Sequence, residues 1–122
     1  MRVTHVEEAE RYEPEPNWVR WSMCAEPNIS IERFVKPPGH ASPNHSHPNI
    51  QVLIVVEGRL SITTEADGTQ VLDVGDTAYI PAGEDHVVTN PLTTPSTGID
   101  IFVPGRSFDY WVTRDQGDEE DA

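Results

Sequence analysis

The feature that most constrains the fold of this chain is the density of its prolines and glycines. Eleven prolines and eight glycines interrupt 122 residues, and the apolar stretches between them are short and rich in valine, isoleucine and threonine. This pattern is typical of short strands joined by turns and leaves little room for helices. The sequence therefore predicts an all-β sandwich or barrel. The expected strands are Trp18–Met23, Ile29–Val35, Gln51–Glu57, Arg59–Thr64, Gln70–Leu72, Thr77–Ile80, His86–Asn90 and Gly98–Val103.

Two local patterns refine this prediction. The strands Arg59–Thr64 and Gln70–Leu72 are separated by a stretch that contains Asp67-Gly68, which predicts a β-hairpin with a slightly long loop. The only candidate helical stretch is the charged segment Glu7–Tyr12, which is too short and too close to prolines to carry a domain.

The stretch from Gln51 to Val56 is apolar on both of its faces, because side chains alternate along a strand and every residue after Gln51 is aliphatic. A strand with one face in water should instead alternate between apolar and polar residues. We therefore expect a second sheet to cover one face, and either a partner subunit or the N-terminal segment to cover the other. Of these two covers we favour a partner subunit, and thus a homodimer.

Charge and composition exclude several functional classes. The formal net charge is −13, which disfavours binding to nucleic acid or to an anionic membrane surface. Twenty-one carboxylates and a single lysine, Lys36, are typical of a protein that works at high salt, although an ordinary acidic protein with a charged tail has the same composition. Cys24 has no partner for a disulfide, and no apolar stretch is long enough to span a membrane. We expect a cytoplasmic protein.

The histidines are the candidate functional residues. His45 and His47 are two apart, so on an extended segment both imidazoles face the same side and can converge on one metal ion. Gln51 has the same parity, and His86 begins a later strand after a Pro-x-Gly turn. A single His-x-His pair is more often a feature of a solvated loop than a pair of ligands, so the context of the pair decides.

That context consists of two spaced motifs. The first is G-x5-HxH-x3-[E/Q]-x6-G, and the second is G-x5-PxG-x2-H-x3-N. Both resemble the sequence motifs of the cupin superfamily at every marked position except one. The resemblance covers Gly39–Asn90, and we expect it to extend to Ile29–Val103. The matched positions are Gly39, His45, His47, Gln51 and Gly58 in the first motif and Gly75, Pro81, Gly83, His86 and Asn90 in the second.

The resemblance implies a small β-barrel or jelly roll of two facing antiparallel sheets with a metal ion in its mouth. Carried over position by position, the metal ligands are His45, His47, Gln51 and His86. The ion is one divalent transition metal per chain: Zn, Ni, Fe(II), Co or Mn. Around a barrel of residues 28–113 we expect an N-terminal segment, 1–27, packed on the barrel or on a partner, and a disordered acidic tail, 114–122. Gly58, Gly75 and Gly83 lie where turns need positive φ or close approach.

Gln51 is the one departure, because the family most often has glutamate there. With a neutral ligand set the ion keeps its full +2 charge, which predicts weaker binding, a disfavoured ferric state and a stronger Lewis acid. None of the 21 carboxylates falls at a ligand position, so we expect the acidity to lie outside the site. The alternative interpretation is that Gln51 marks a lost metal site on a retained barrel.

Catalytic residues are not identified by the motifs. Tyr79 is a candidate because we expect its hydroxyl to reach a ligand. His40 is a candidate proton carrier, although an exposed loop histidine is the simpler interpretation. The aromatic segment 104–111 is expected to pack against the end of the barrel. The candidate pocket-lining residues are Phe34, Leu53, Val55, Tyr79, Val88 and Phe102.

Two functional hypotheses follow from the resemblance. The first is a metal-dependent enzyme acting on a small anionic or enolisable organic molecule, either by Lewis-acid chemistry similar to that of polyketide cyclases or by dioxygenation similar to that of quercetin dioxygenase. The second is a non-catalytic cupin that binds a small ligand or a metal as a sensor or storage module. A third interpretation, a purely structural barrel, predicts no stoichiometric metal.

Overall fold

Nine antiparallel strands in two sheets make up nearly all the regular structure of residues 1–111, which are the residues that the computed structural model describes. A short 3-10 helix, Val6–Glu8, precedes them, and a single helical turn follows at residues 109–111. The strands are β1 Glu10–Glu15, β2 Trp18–Ala25, β3 Ser30–Lys36, β4 Ile50–Glu57, β5 Arg59–Thr64, β6 Gly68–Asp73, β7 Thr77–Ile80, β8 Val87–Thr89 and β9 Ser96–Val103.

The strands form a six-stranded sheet in the order β1-β2-β3-β9-β4-β7 and a three-stranded sheet in the order β6-β5-β8. The predicted all-β class is thus confirmed. The predicted hairpin is confirmed as well, because β5 pairs with β6 from Arg59 opposite Asp73 to Thr64 opposite Gly68. Strands distant in sequence are neighbours in the larger sheet, so residues far apart along the chain meet inside the barrel.

The N-terminal segment joins the larger sheet. β1 pairs with β2 and β2 pairs with β3, so most of residues 1–27 extend the barrel wall. The candidate helical stretch Glu7–Tyr12 is helical only at its start, in the 3-10 turn Val6–Glu8, since β1 begins at Glu10. In β1, Tyr12 and Pro14 are half-buried between exposed charged residues. This period-2 pattern stabilises a strand through contact with the core, although its charges make the segment resemble a surface helix.

Two apolar clusters fill the interior. The larger lies between the two sheets, and the smaller closes one end of the barrel, where Trp18 of β2 meets the turn after β9. The expected packing of segment 104–111 on the barrel end is therefore confirmed. The larger cluster consists of Phe34, Leu53, Val55, Leu60, Ile62, Leu72, Ile80 and Val88, and the smaller of Trp18, Phe108 and Trp111.

The outer face of the six-stranded sheet is apolar, as the pattern of β4 predicted. Val52 pairs with Ile101 of β9, and Ile54 pairs with Ile99. All four side chains are half-buried rather than fully covered. β1 and β2 extend this sheet at its edge, so the N-terminal segment does not provide the second cover that the sequence allowed.

Gly58 between β4 and β5 shows why the motif glycines are needed. Its φ is +80°, and a Cβ atom there would lie 2.4 Å from Ser96 Oγ. Gly75 and Gly83 also have positive φ, at +90° and +82°, as expected from their turns. Within residues 1–111, no helix has the length and apolar character that crossing a bilayer requires.

Candidate metal centre

The backbone brings His86 to His45 across forty residues of sequence. The two residues form an isolated antiparallel bridge, in which His86 N–H donates to His45 O at 2.9 Å and His45 N–H donates to His86 O at 3.3 Å. Gly83 N–H donates to His47 O at 2.9 Å, which ties the Pro-x-Gly turn to the His-x-His segment. The two motifs are therefore joined by main-chain hydrogen bonds directly beside the histidine rings.

The three rings converge. Their centroids are 4.5 Å apart for His45 and His86, 5.2 Å for His47 and His86, and 5.7 Å for His45 and His47. One nitrogen from each ring lies within 4.8 Å of the others, an arrangement that can hold a metal ion. His40 and His5 are outside this group.

Hydrogen bonds fix which nitrogen of each ring faces the centre. Each Nδ1 lies beside a main-chain carbonyl oxygen, so Nδ1 carries the proton and donates it. Each Nε2 is then left with a lone pair, which is the form that binds a metal ion. The carbonyl acceptors are Pro43 O for His45 at 2.8 Å, Asn49 O for His47 at 3.0 Å and Glu84 O for His86 at 2.9 Å.

Gln51 adds a fourth donor atom. Its Nε2–H donates to Asp100 Oδ1 at 2.8 Å, so its Oε1 is the atom that lies 3.0 Å from His47 Nε2. Because His47 Nδ1 carries the ring proton, these two atoms face each other as lone pairs with no hydrogen between them. Two ligands bound at right angles at about 2.0–2.1 Å are separated by about 3 Å, so the contact has the spacing of two ligands on one ion.

A second observation also indicates that these side chains can hold a metal ion. Nε2 of His86 is buried and has no hydrogen-bond partner among residues 1–111, although buried polar atoms are normally paired. Burial lowers the pKa of His45 to about 4 and lowers that of His47 as well, so these two rings are neutral near pH 7. Three neutral imidazoles and one amide oxygen fit a divalent transition metal, and these four side chains are the ones that would hold it.

A network of buried charges lies behind this centre. Arg20 donates to Glu32 Oε1 at 2.9 Å and to Asp100 Oδ2 at 2.6 Å. Arg106 donates to Glu32 Oε2 at 3.3 Å. Burial would raise the pKa of Glu32, but Arg20 and Arg106 outweigh it and the net pKa is lowered, so this carboxylate stays ionised. The network connects Gln51, through Asp100, to Arg20.

His45 and His86 line one cavity together with Gln51 and with three of these charged side chains, Arg20, Asp100 and Arg106. Its apolar wall is largely aromatic, and its polar wall combines three of the four candidate metal ligands with charged side chains. The lining residues are Trp18, Arg20, Phe34, Lys36, Ser42, Pro43, His45, Gln51, His86, Val88, Asp100, Phe102, Arg106, Tyr110 and Trp111.

Comparison with known proteins decides the family. The cupin domain model matches residues 33–102, which is more than half of the chain. The chain belongs to the cupin family. The matched residues include both histidine motifs, which lie between Gly39 and Asn90.

Solved structures agree with this assignment. An RmlC-like cupin from Shewanella frigidimarina is 26% identical with a TM-score of 0.78, and the alignment covers 90% of this chain and 96% of that one. KdgF from a Halomonas species is 23% identical with a TM-score of 0.79, covering 90% and 98%. A cupin 2 conserved barrel domain protein from Salinispora arenicola is 21% identical with a TM-score of 0.70, covering 93% and 98%. No curated protein sequence matches this chain.

The predicted pocket lining of this cupin is partly correct. Phe34, Val88 and Phe102 line the cavity, whereas Leu53 and Val55 lie in the core between the sheets. The placement of Tyr79 in the pocket is wrong. Tyr79 is 64% exposed and pairs with Val52 on the outer face of the sheet, because its position in β7 has outward parity.

His40 differs from both expectations. Its side chain is only 12% exposed, so it is not an exposed loop histidine, and it lies outside the cavity lining. The ring packs on Trp18 with centroids 4.7 Å apart, and Nε2 lies 3.0 Å from Glu15 Oε1. These contacts place His40 between β1 and β2 at the rim of the cupin barrel, without a contact to the three clustered histidines.

The expectation that all acidity lies outside the site is also wrong, since Glu32 and Asp100 are buried in the barrel. Sequence reasoning missed these carboxylates together with Arg20, Lys36 and Arg106. A signal was present for Asp100, which has the same strand parity as Phe102, a predicted pocket residue. An acidic residue at an inward position of an apolar strand indicates a buried polar network in the cupin interior.

Proposed function

We propose that this cupin is a metal-dependent enzyme that acts on a small, anionic, enolisable organic substrate by Lewis-acid chemistry. The observation that carries the proposal is the shared cavity: His45, His86 and Gln51 line the same space as Lys36 and Arg106, and His47 lies beside the two other imidazoles. A divalent ion held by these side chains would supply Lewis acidity toward an anionic oxygen of the substrate.

The balance of buried charge favours an anion. Among residues 1–111 the barrel interior contains three basic side chains, Arg20, Lys36 and the largely buried Arg106, but two carboxylates, Glu32 and Asp100. The candidate ligands, three imidazoles and one amide, are neutral and so do not offset the charge of a divalent ion. Buried charges are stable only when they are paired, so an anionic substrate completes the site.

Two residues position the reacting groups. Asp100 accepts a hydrogen bond from the side-chain N–H of Gln51, which keeps Gln51 Oε1 directed toward His47. Arg106 is fixed by Glu32 and by the faces of Phe102 and Tyr110, whose centroids lie 4.0 Å and 4.2 Å from its Cζ. A guanidinium held in this way presents its remaining donors to a carboxylate or an enolate oxygen.

Exchange of substrate C–H protons tests the proposal without a known substrate. Purified protein loaded with Zn²⁺, Mn²⁺ or Fe²⁺ is incubated in D₂O with pyruvate, oxaloacetate or acetylacetone, and loss of the α-proton signal is followed by NMR. We expect faster exchange with loaded protein than with metal-free protein or with a loaded His47→Ala variant. Equal rates in all three samples would contradict Lewis-acid enolisation.

The remaining functions give different results in the same samples. Dioxygenation predicts oxygen uptake by the Fe²⁺ form with acetylacetone, measured with an oxygen electrode. A sensor or storage module predicts saturable ligand or metal binding with neither exchange nor oxygen uptake. Lewis-acid chemistry is favoured because a neutral ligand set does not compensate the added charge of a ferric ion.

We also propose that a second copy of this chain covers the outer face of the six-stranded sheet. Val52, Ile54, Ile99 and Ile101 form a charge-free patch there, on a protein whose net charge of −13 repels a second copy over much of its surface. We expect a dimer in light scattering at high salt and a monomer for Ile54→Asp. A wild-type monomer would contradict this interface.

A further inference from the structure

Lys36 is the only lysine of the chain, and it points into the cavity from the end of β3. The residue is 2% exposed. Arg20 and Arg106 each contact a buried carboxylate, whereas Lys36 has no carboxylate within 4.0 Å among residues 1–111. It is thus the buried cation of the described chain that has no ionic partner.

The neighbouring carboxylates are already engaged. Glu15 lies 3.0 Å from His40 Nε2, and Asp100 accepts hydrogen bonds from Arg20 and Gln51. Lys36 Nζ instead lies over the face of Trp18, with the ring centroid 4.5 Å away. A cation–π contact does not replace a hydrogen-bond acceptor for an ammonium group.

Trp18 also lacks an acceptor. It lines the same cavity, and its Nε1–H is buried with no hydrogen-bond partner among residues 1–111. An ammonium group thus lies over the face of an indole ring whose own N–H is unpartnered, and neither donor has an acceptor among residues 1–111. Unsatisfied buried donors are rare, and a pair of them at a cavity wall indicates a missing acceptor.

We propose that Lys36 and Trp18 form an anion-binding subsite that holds a second carboxylate of the substrate, away from the clustered histidines. The identity of the anion as a substrate rests on the proposed function, whereas the subsite itself rests on the two donors. The enzyme then takes substrates with two anionic ends, one at the histidines and one at Lys36.

The register of the sheet separates the two ends. Lys36 lies opposite Ser96 and Gln51 lies opposite Phe102, six residues further along β9. Six residues along a strand place the backbones at Lys36 and Gln51 about 20 Å apart, and the side chains of both residues extend into the space between them. The separation suits a linear molecule of about six carbons better than a compact one.

The electrostatics of Lys36 agree with this assignment. Burial and, to a smaller extent, the charge of Arg20 lower its pKa to about 7, and Asp100 and Glu15 oppose this shift only in part. His40, the other titratable group nearby, has a pKa lowered by burial and is neutral at pH 7. A bound carboxylate stabilises the ammonium form and raises the pKa of Lys36.

A single lysine allows a direct test by NMR. Protein labelled with ¹³Cε-lysine gives one lysine resonance, and its pH titration is measured in metal-free protein with and without adipate at constant ionic strength. We expect adipate to raise the midpoint by at least one pH unit, and Trp18→Phe to weaken this response severalfold. An unchanged midpoint would overturn the subsite.

A matched ligand pair tests the two-ended substrate. In Zn²⁺-loaded protein we expect adipate to bind at least tenfold more tightly than hexanoate, which has the same length and one carboxylate. The preference should disappear in Lys36→Met and return in Lys36→Arg. A preference that survives in Lys36→Met would contradict the proposal.

The folding of the Lys36→Met variant is itself informative. If Lys36 stabilises the fold, the substitution should lower the melting temperature. If Lys36 is a buried charge without a partner, the substitution should raise it. A lowered melting temperature would count against a binding role. If adipate binds at Lys36 but no C–H exchange is seen, the subsite stands and the proposed function is rejected. If exchange is seen but Lys36 does not respond to adipate, the proposed function stands and the subsite is rejected.

Discussion

Replacing Gln51 with glutamate changes one group of the candidate metal centre, because the side-chain amide nitrogen becomes a carboxylate oxygen. In the wild type, Gln51 Nε2–H donates to Asp100 Oδ1 at 2.8 Å. Gln51→Glu removes this donor and places a second carboxylate against Asp100, while Arg20 remains on the other Asp100 oxygen. The variant therefore restores the ligand that the family most often has, at the expense of a buried hydrogen bond in this chain.

The size of the effect follows from the distance. Two unit charges 2.8 Å apart repel by about 6 kcal/mol at an effective dielectric constant of about 20. The protein can avoid this repulsion by keeping the new carboxyl protonated, which at pH 8 costs about 5 kcal/mol relative to a free glutamic acid. Allowing for relaxation, we expect the metal-free variant to lose about 2–5 kcal/mol of unfolding free energy at pH 8.

The pH dependence has a defined sign. The folded-state pKa of the new carboxyl is raised, so the loss of stability is absent below the ordinary pKa of glutamic acid, about 4.3, and grows as the pH rises. Zn²⁺ neutralises the carboxylate pair, so the variant should bind the ion about 10- to 100-fold more tightly than the wild type. Urea unfolding of metal-free protein at pH 4.5 and pH 8, with Zn²⁺ titrations, measures both effects.

A reversed pair is the control. Gln51→Glu combined with Asp100→Asn restores one donor and one acceptor at this contact, and the new amide oxygen still accepts from Arg20. We expect its metal-free stability to be close to that of the wild type, with little dependence on pH. If the single Gln51→Glu variant is as stable as the wild type at pH 8, the hydrogen-bonded contact between Gln51 and Asp100 does not exist as described.

Two further predictions concern the fold. Glu32→Gln should lower the free energy of unfolding by about 3–5 kcal/mol at pH 7, because it leaves the buried Arg20 with a weaker partner. The pKa of Glu32 is lowered in the folded state, so the wild type should lose stability as the pH falls below about 4.5, and the variant should lose less. Acid unfolding curves of the two proteins measure this, and parallel curves would contradict it. Gly58→Ala should cost more than Gly39→Ala in urea unfolding, because both have positive φ but only Gly58 faces a steric contact; equal losses would contradict the close approach.

Much of the fold follows from the sequence because it depends on local chemistry. Proline and glycine spacing indicates the strands, and the motif spacing brings His45, His47 and His86 to one point through a single backbone bridge. The first strand was missed because Tyr12 and Pro14 hide their alternation among charged residues. Whether such a segment is helix or strand depends on the sheet edge that it joins, and that edge is not local information.

The walls of the cavity follow from the sequence much less well. Asp100 and Arg20 meet across eighty residues, and Arg106 reaches Glu32 across seventy-four. These contacts depend on the order of strands in the sheet, which the motifs do not encode. Tyr79 shows the converse error, because an aromatic residue near the second motif was assigned to the pocket although its register in β7 faces outward.

Metal stoichiometry tests the central claim most directly. Untagged protein is stripped with a chelator, reloaded with one metal at a time and measured by elemental analysis after desalting. The account predicts one divalent ion per chain, lost in His47→Ala and in His86→Ala but retained in His5→Ala, which removes an exposed histidine outside the cluster. No bound ion in the wild type, or equal binding in all four proteins, would contradict a metal centre at these histidines.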